Sequence, residues 1–366
     1  MPIGDSSAMF TGVFDGQGHT ITGLRINTID SGVGLFSVTG PAARIQNVEL
    51  EGVNVAGGQQ VGGLVGENRG IITSSGVSGT VTGHNDTDGL VGNNYAGLTY
   101  CYSTGDVMGT GGDNIGGLAG YQVAGTINSC YTVGEVTLDW SSTGGNNNIG
   151  GLVGYQEGGT ITTSYAVTSV EGRVSGGLVG KSRGAITSSY AMGEVYGYNN
   201  GGGLVGCQEG GSISSSYAVG DVSAWLYAGG LVGNQAAGSI SSSRPGSVYS
   251  GWGAFGGVTG LSNGTVTSSR YCSAEKMKLL STYSGWDFQN VWAFGADNSD
   301  RPFLRWDFNQ VWGWGSNGGD YFQPFLQWQG LPLFEGGNGS ADNPYLVGTA
   351  HQLDSILDAI ALGTES

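Results

Sequence analysis

Acidic side chains recur at one position of a repeating sequence pattern, where they could lie side by side. They are Asp106, Glu135, Glu194 and Asp221, with Ser169 at the same position between Glu135 and Glu194. Two carboxylates about 5 Å apart have the separation that retaining glycosidases use, and the same oxygens could bind Ca²⁺. We interpret the column as a solvated corner, because like charges this close repel unless they are hydrated or bridged. Cation binding and catalysis remain the alternatives.

A second acid–base candidate is His19 with Asp15 nearby, a pair that could act as a general base. We favour a turn held by local hydrogen bonds as its explanation. His84 and His351 have no partner that the sequence identifies. The chain contains no His-Glu-x-x-His motif and no phosphate-binding loop of any specificity. We therefore predict no catalytic residue and no cofactor, with Ca²⁺ as the one open alternative.

A recurring tag, Gly-Leu-Val-Gly, indicates the structural elements that position these residues. Its leucines are Leu64, Leu90, Leu118, Leu152, Leu178, Leu204 and Leu231. They follow one another in steps of 26, 28, 34, 26, 26 and 27 residues. A nearly fixed period in this range indicates stacked units that share one continuous core.

Two further aliphatic columns stand at constant offsets from the tag. The first is Ile72, Leu98, Ile127, Ile161, Ile186, Ile213, Ile240 and Val266, and the second is Val81, Val107, Val136, Val170, Val195 and Val222. Gly, Asn and Ser separate the columns, as expected where a chain turns tightly. The pattern predicts an all-β fold, a parallel β-helix of about nine or ten rungs spaced by about 4.8 Å. Helical repeats are disfavoured because Gly interrupts every segment.

Aromatic and sulfur side chains also form columns. The tyrosines are Tyr102, Tyr131, Tyr165, Tyr190 and Tyr217. We expect their rings to stack and bury area with the hydroxyls in water, and a glycan-binding strip is the alternative. Cys101 and Cys130 share a column with Ser164, Ser189 and Ser216. The Cα separation would suit a disulfide but parallel Cβ vectors would not, so we favour a ladder of small buried side chains.

Composition limits the classes of partner. The formal net charge is -16, which disfavours nucleic acid and anionic membranes. The sequence has no apolar run of the roughly 18 residues that a membrane-spanning helix needs, so no membrane insertion is expected. Met1–Gly4 does not resemble a signal peptide. We expect either a cytosolic protein or, as we favour, a piece of a longer one.

The repeats resemble those of a known family. The segment 150–167 carries the tag, a Gly-x-Ile step and a Ser-Tyr-Ala step in order, and the segment 10–26 is similar to the rungs that precede such repeats. About residues 10–272 resemble the GLUG-motif repeats of bacterial surface and secreted proteins. The resemblance implies a right-handed β-helix, found in adhesins, haemagglutinin-like proteins and the stalk of some immunoglobulin-A-cleaving metallopeptidases. It implies no activity.

The end of the chain has a different composition. We predict a GLUG-repeat β-helix at 1–272, a Trp-rich capping region at 273–334, and a linker, strand and helix at 335–366 that resemble the start of a following module. Six of the nine tryptophans fall between Trp286 and Trp328. They could cover the open end of the solenoid or form an aromatic sugar platform. Residues 343–362 could dock on the next copy, head to tail.

Together these features predict a non-enzymatic structural and adhesive repeat module, extracellular or on the bacterial cell surface. Its partners would be glycans or cell-surface proteins, bound through many weak contacts on a regular surface. The first alternative is a carbohydrate-active enzyme, a polysaccharide lyase or hydrolase. The second is a self-assembling extracellular filament subunit.

Overall fold

The computed structural model describes residues 2–139, 147–245, 253–269, 283, 285–288, 290–293, 303–304, 312–316 and 322–326. The chain divides into two compact units, Met1–Trp286 and Asp287–Ser366. The described residues contain strands and turns and no α-helix. Accordingly, none of them belongs to a helix long and apolar enough to cross a membrane.

The first unit coils through three parallel sheets. Sheet 1 has nine strands: Phe36–Val38, Val65–Asn68, Val91–Asn94, Ala119–Gln122, Val153–Gln156, Val179–Ser182, Val205–Gln208, Val232–Gln235 and Thr259–Ser262. Sheet 2 has ten: Val13–Asp15, Arg44–Gln46, Ile71–Thr73, Leu98–Thr99, Thr126–Asn128, Thr160–Thr162, Ala185–Thr187, Ser212–Ser214, Ser239–Ser241 and Thr265–Thr267.

Sheet 3 supplies the long side of each rung and the corner before the tag. Its eighteen strands are Thr20–Thr22, Arg25–Asn27, Ser31–Val33, Glu49–Ala56, Gln59–Gly62, Gly76–Gly83, Asn85–Asp88, Tyr102–Gly109, Ile115–Gly116, Tyr131–Leu138, Asn148–Gly150, Tyr165–Gly176, Tyr190–Met192, Val195–Gly202, Tyr217–Val219, Val222–Ala224, Tyr227–Gly229 and Ala254–Gly256. The predicted parallel β-helix is confirmed, with about nine turns.

The core consists of aliphatic side chains stacked in register. In sheet 2, Ile127 pairs with Ile161, which pairs with Ile186, and the same register runs from Ile72 to Val266. The ladder positions predicted from sequence are exposed by 1% or less; they are Leu64, Leu90, Leu118, Leu152, Leu178, Leu204, Leu231, Ile127, Ile161, Ile186, Ile213 and Ile240. Apolar burial along the whole unit is therefore one continuous contribution to stability.

A second ladder, of small polar side chains, joins the rungs at the turn from sheet 2 to sheet 3. The Ser164 N–H donates to Ser189 Oγ at 3.2 Å, and that Oγ donates to the Thr187 carbonyl at 2.9 Å. The same two bonds recur at Ser75, Cys130, Ser164, Ser216, Ser243 and Ser269. Cys101 and Cys130 are free thiols within this ladder.

The residue before each member of this polar ladder makes the turn. These residues have φ between 44° and 54° although none is glycine; they are Ser74, Tyr100, Ser129, Thr163, Ser188, Ser215, Ser242 and Ser268. A left-handed conformation costs free energy for such residues. The hydrogen bonds of the polar ladder hold the chain in this turn.

We expect Ser189→Ala to lower the free energy of unfolding by about 1–3 kcal/mol, because the buried Ser164 N–H and Thr187 carbonyl both lose a partner. Ser189→Cys is the matched control, since the thiol of Cys130 makes the same two contacts in its own rung. Urea denaturation measures both variants. Equal losses for the two variants would contradict the role of the ladder.

Buried amides form a third ladder at the turn from sheet 1 to sheet 2. Asn68 Nδ2 donates to Asn94 Oδ1 at 2.8 Å, and Asn94 Nδ2 donates to Gln122 Oε1 at 2.6 Å. Fully buried polar residues continue the ladder at Gln156, Ser182, Gln208 and Gln235. The ladder pairs buried amides between rungs at Asn68, Asn94 and Gln122, whereas the buried Gln208 Oε1 has no hydrogen-bond partner.

The glycines around each tag are required by close approach of the backbone. A Cβ placed on Gly177 would lie 2.2 Å from the Gly203 carbonyl oxygen, and one on Gly203 would lie 2.3 Å from that of Gly230. Contacts under 3.0 Å essentially never occur for real Cβ atoms. The tag is thus a corner where a side chain would collide with the backbone of the next rung.

The second unit contains two antiparallel strand pairs in its described part. Trp292–Ala293 pairs with Phe303–Leu304, and Trp312–Ser316 pairs with Phe322–Leu326. The related Trp-rich sequences therefore form related hairpins, with Trp292 and Leu304 buried. Most of the predicted cap at 273–334, and all of 335–366 with its helix and docking segment at 343–362, lie outside the described residues. Those predictions remain untested.

Candidate functional site

The carboxylate column lies on the outer surface of sheet 3. Asp106, Glu135, Glu194 and Asp221 are all exposed. Asp106 Oδ1 accepts a hydrogen bond from the Glu135 N–H at 3.2 Å, so this carboxylate provides a partner for a backbone N–H group of the next rung. Among the described residues, no three His, Cys, Asp or Glu side chains converge closely enough to hold a metal ion. The column is exposed to solvent, but only Glu194 and Asp221 lie between strands, whereas Asp106 and Glu135 lie within the long strands Tyr102–Gly109 and Tyr131–Leu138.

The tyrosine column is buried, contrary to the expectation of wet hydroxyls. Neighbouring rings stack with centroids 4.8–5.3 Å apart. Tyr102, Tyr131, Tyr165, Tyr190 and Tyr217 are exposed by 6% or less. A glycan could not reach these rings, so the alternative of a binding strip at these positions does not agree with the structure. The physical reason is that the stacked rings cover one another's faces and are enclosed at their edges.

Each end of the tyrosine ladder has a polar contact. At one end the Tyr102 hydroxyl donates to Glu49 Oε2, across the rung that contains Gly76. A Cβ on Gly76 would lie 2.1 Å from the Tyr102 ring, so glycine is needed for the ring to reach Glu49. At the other end Trp286 packs against Tyr217, and its indole N–H donates to the Ser242 carbonyl at 2.7 Å.

Burial raises the pKa of Glu49 to about 7, although the Tyr102 hydrogen bond opposes the shift. A raised folded-state pKa stabilises the protonated form, so this contribution to stability is complete below pH 4.5 and is lost as the pH rises through 7. We expect Glu49→Gln to flatten the fall in unfolding temperature between pH 5 and pH 8. Glu194→Gln is the exposed control, because Glu194 does not act on Glu49. An unchanged pH profile in Glu49→Gln would contradict this prediction.

Asp15 and His19 occupy a turn, which is the interpretation that the sequence favoured. Asp15 accepts hydrogen bonds from Asn47 and Gln46 of the next rung and from the Gln17 N–H. Asn47, then Gln17, hold the pKa of this carboxyl below its usual value. The His19 N–H donates to the Gly16 carbonyl at 2.8 Å. Asp15 therefore accepts bonds that close the first turns of the solenoid.

A buried carboxylate stands where sequence reasoning identified no feature. The residue before each tag is glycine at 62, 116, 150, 176, 202, 229 and 256, whereas Asp88 occupies this place in the second tag. Asp88 is fully buried; its Oδ2 accepts the Gly120 N–H at 2.8 Å, and its Oδ1 has no hydrogen-bond partner. Burial raises the pKa of Asp88 well above its usual value. The departure from an all-glycine column was the signal in the sequence.

Aromatic and charged side chains lie next to one another on the outer face of sheet 1. Tyr121 and Tyr155 stack at 5.3 Å, and Lys181 Nζ lies 5.4 Å from the centre of the Tyr155 ring. Glu209 bridges Lys181 at 2.7 Å and Arg183 at 2.8 Å. Because these half-exposed ring faces are covered by each other or by cations, the arrangement rigidifies the surface and offers no open platform.

Comparison with known proteins places the repeats in a family. The model of the family described as "The GLUG motif" matches residues 145–171. A halomucin of Haloquadratum walsbyi is 40% identical over 89 residues, which is 24% of this chain and 1% of the halomucin. A putative Gly-rich membrane protein of Evansella cellulosilytica is 41% identical over 75 residues, which is 19% of this chain and 9% of that protein.

A solved structure also aligns with much of the chain. It is a putative immunoglobulin A1 protease from Bacteroides ovatus, with 16% identity, a TM-score of 0.32, and coverage of 80% of this chain and 77% of that one. The matching family motif lies in the rung that begins near Gly150, where the sequence resemblance was found. The chain therefore carries a GLUG motif at residues 145–171, within repeats that form a parallel β-solenoid.

Proposed function

We propose that this chain is a non-enzymatic structural repeat module of a cell-surface or secreted protein, which spaces and presents weak, repeated contacts. The observation that carries the proposal is the continuity of its ladders. Apolar, polar and aromatic columns each run through successive rungs in one register. Such a body is stiff along its axis, because every rung pairs its backbone with the next.

Two further observations support a surface role. Relatives of the repeats are named halomucin and Gly-rich membrane protein, names that fit a protein at the cell boundary. The net charge of -16 keeps an acidic surface hydrated. The matched relatives are far longer than the matched segments, so this chain would act as one module among others.

Antibody labelling of intact producing cells tests the location. We expect an antibody raised against the chain to label cells without permeabilisation, and shaving with an external protease to remove the signal. A cytosolic enzyme of the same cells serves as the control, because it must stay unlabelled. Labelling of this chain only after permeabilisation would overturn the surface role.

Multivalent adhesion has its own test. Beads carrying the chain at increasing density should bind host or sister cells steeply with density, because many weak contacts act together. The soluble chain should compete only at far higher concentration. Binding that rises in proportion to density, with equal competition by the soluble chain, would exclude this mode. A cleavage assay on purified polysaccharides tests the non-enzymatic assignment, and released oligosaccharides would contradict it.

A further inference from the structure

Four large apolar side chains protrude from neighbouring rungs at one corner of sheet 3. We call this the aromatic patch: Tyr196, Tyr198, Trp225 and Leu226, exposed by 57, 51, 56 and 49%. The Tyr198 and Trp225 rings lie 5.9 Å apart with planes 21° from parallel. Contiguous exposed aromatic surface of this kind marks a binding site more often than chance exposure of single residues does.

An added residue in the rung of Tyr198 creates the patch. Gly172 pairs with Gly197 and Val174 with Asn200, so Tyr198 and Asn199 together oppose Arg173 alone. The next rung keeps this wider corner, where the Trp225 N–H donates to the Gly197 carbonyl at 3.2 Å. Bulges of this type turn side chains outward. The protrusion of the rings is therefore built into the backbone.

Polar groups border the patch. Glu171 and Ser223 are the register neighbours of Tyr196, one on each adjacent rung. Arg173 and Asn199 are half-buried beside the bulge. Flat apolar rings surrounded by a few hydrogen-bonding groups match the chemistry of a sugar ring, which has an apolar C–H face and a rim of hydroxyls.

The size of the patch favours a small ligand over a protein. Roughly half of each side chain is exposed, so the patch offers on the order of 400 Å² of apolar surface. A stable protein–protein interface needs about 800 Å² from each partner. A few sugar units would fit this area, whereas a second copy of the chain would need much more contact.

The geometry points to a carbohydrate-binding site at the aromatic patch, in which Tyr198 and Trp225 stack against pyranose rings of a polysaccharide. The inference deepens the proposed adhesive function and rests on it for the class of ligand. The site differs from the buried tyrosine ladder because its rings are open to solvent.

Affinity electrophoresis of the full chain tests the site, with hydroxyethylcellulose, xylan, mannan or alginate cast in native gels. We expect at least one polysaccharide to retard the wild-type chain. Trp225→Ala and Tyr198→Ala should each weaken retardation about tenfold or more, as truncation of an aromatic anchor does. Trp225→Phe should keep part of the affinity. Tyr95→Ala, an exposed aromatic elsewhere, should bind like wild type.

Three outcomes would overturn the site. The first is no retardation by any of the four polysaccharides. The second is retardation that Trp225→Ala and Tyr198→Ala leave unchanged, in which case glycan adhesion survives at another surface. The third is sedimentation showing wild-type self-association that Trp225→Ala abolishes, which would make the patch a contact between copies. The cell-labelling test of the proposed surface location does not depend on any of these three outcomes. Unchanged unfolding temperatures of the variants would show that they are folded.

Discussion

Replacing Gly203 with alanine should unfold the solenoid locally or prevent its folding. The added Cβ would lie 2.3 Å from the Gly230 carbonyl oxygen, a backbone atom of the next rung that the ladders hold in place. Relief requires the rungs to separate at the tag. We expect a loss of more than about 4 kcal/mol, or a fall in unfolding temperature of roughly 10 °C. Calorimetry measures the loss.

Gly97→Ala is the matched control. No atom lies within 4 Å of a Cβ built there, and its backbone is not left-handed. Alanine at this site should be neutral or stabilise slightly, because it restricts the unfolded chain. Hydrogen exchange with mass spectrometry should locate the damage of Gly203→Ala in the rungs around it, since a repeat array can open locally. Equal stability of the two variants would mean that the tag tolerates a side chain.

Replacing Asp88 with glycine should stabilise the protein at neutral pH. The change restores the residue found at the other pre-tag positions and removes a fully buried carboxylate with one unpaired oxygen. A buried unsatisfied polar group costs about 1–3 kcal/mol, more when charged. The gain is reduced by the lost bond from the Gly120 N–H. We still expect a higher unfolding temperature for Asp88→Gly at pH 7.

The pH dependence of this variant has a defined sign. Burial raises the folded-state pKa of Asp88, so its stabilising contribution is present below the unfolded pKa of 3.8 and is lost as the pH rises. The advantage of Asp88→Gly should therefore grow from pH 4 to pH 7. Calorimetry at several pH values measures it, with Asp106→Gly as an exposed control. A constant difference across this range would show that Asp88 does not titrate as its burial requires.

The fold could be predicted from sequence because the repeat supplies the same information many times. Ile127, Ile161 and Ile186 occupy equivalent places, and stacking in register buries each on the next. Equivalent residues of a column therefore have the same surroundings in every rung. The Ser/Cys ladder was predicted for the same reason, since Cys130 and Ser164 differ in one atom and share one position.

What sequence could not supply were contacts that depend on departures from the repeat. The Tyr102 ring reaches Glu49 only because residue 76, in the rung between them, is glycine. The repeat period alone does not predict a contact between residues two rungs apart. From the periodicity we expected the tyrosine hydroxyls to contact water, whereas the structure encloses the edges of the rings. The aromatic patch depends on one added residue opposite Arg173, which changes side-chain direction without disturbing any aliphatic column.

The shared register of the rungs has an evolutionary consequence. Steps of 26 and 27 residues between Leu178, Leu204 and Leu231 mean that successive rungs are encoded by gene segments of nearly equal length. Unequal recombination between them would add or remove whole coils, each changing the length by about 4.8 Å. Every such product would keep its columns aligned, so lineages can lengthen or shorten the solenoid without redesigning it.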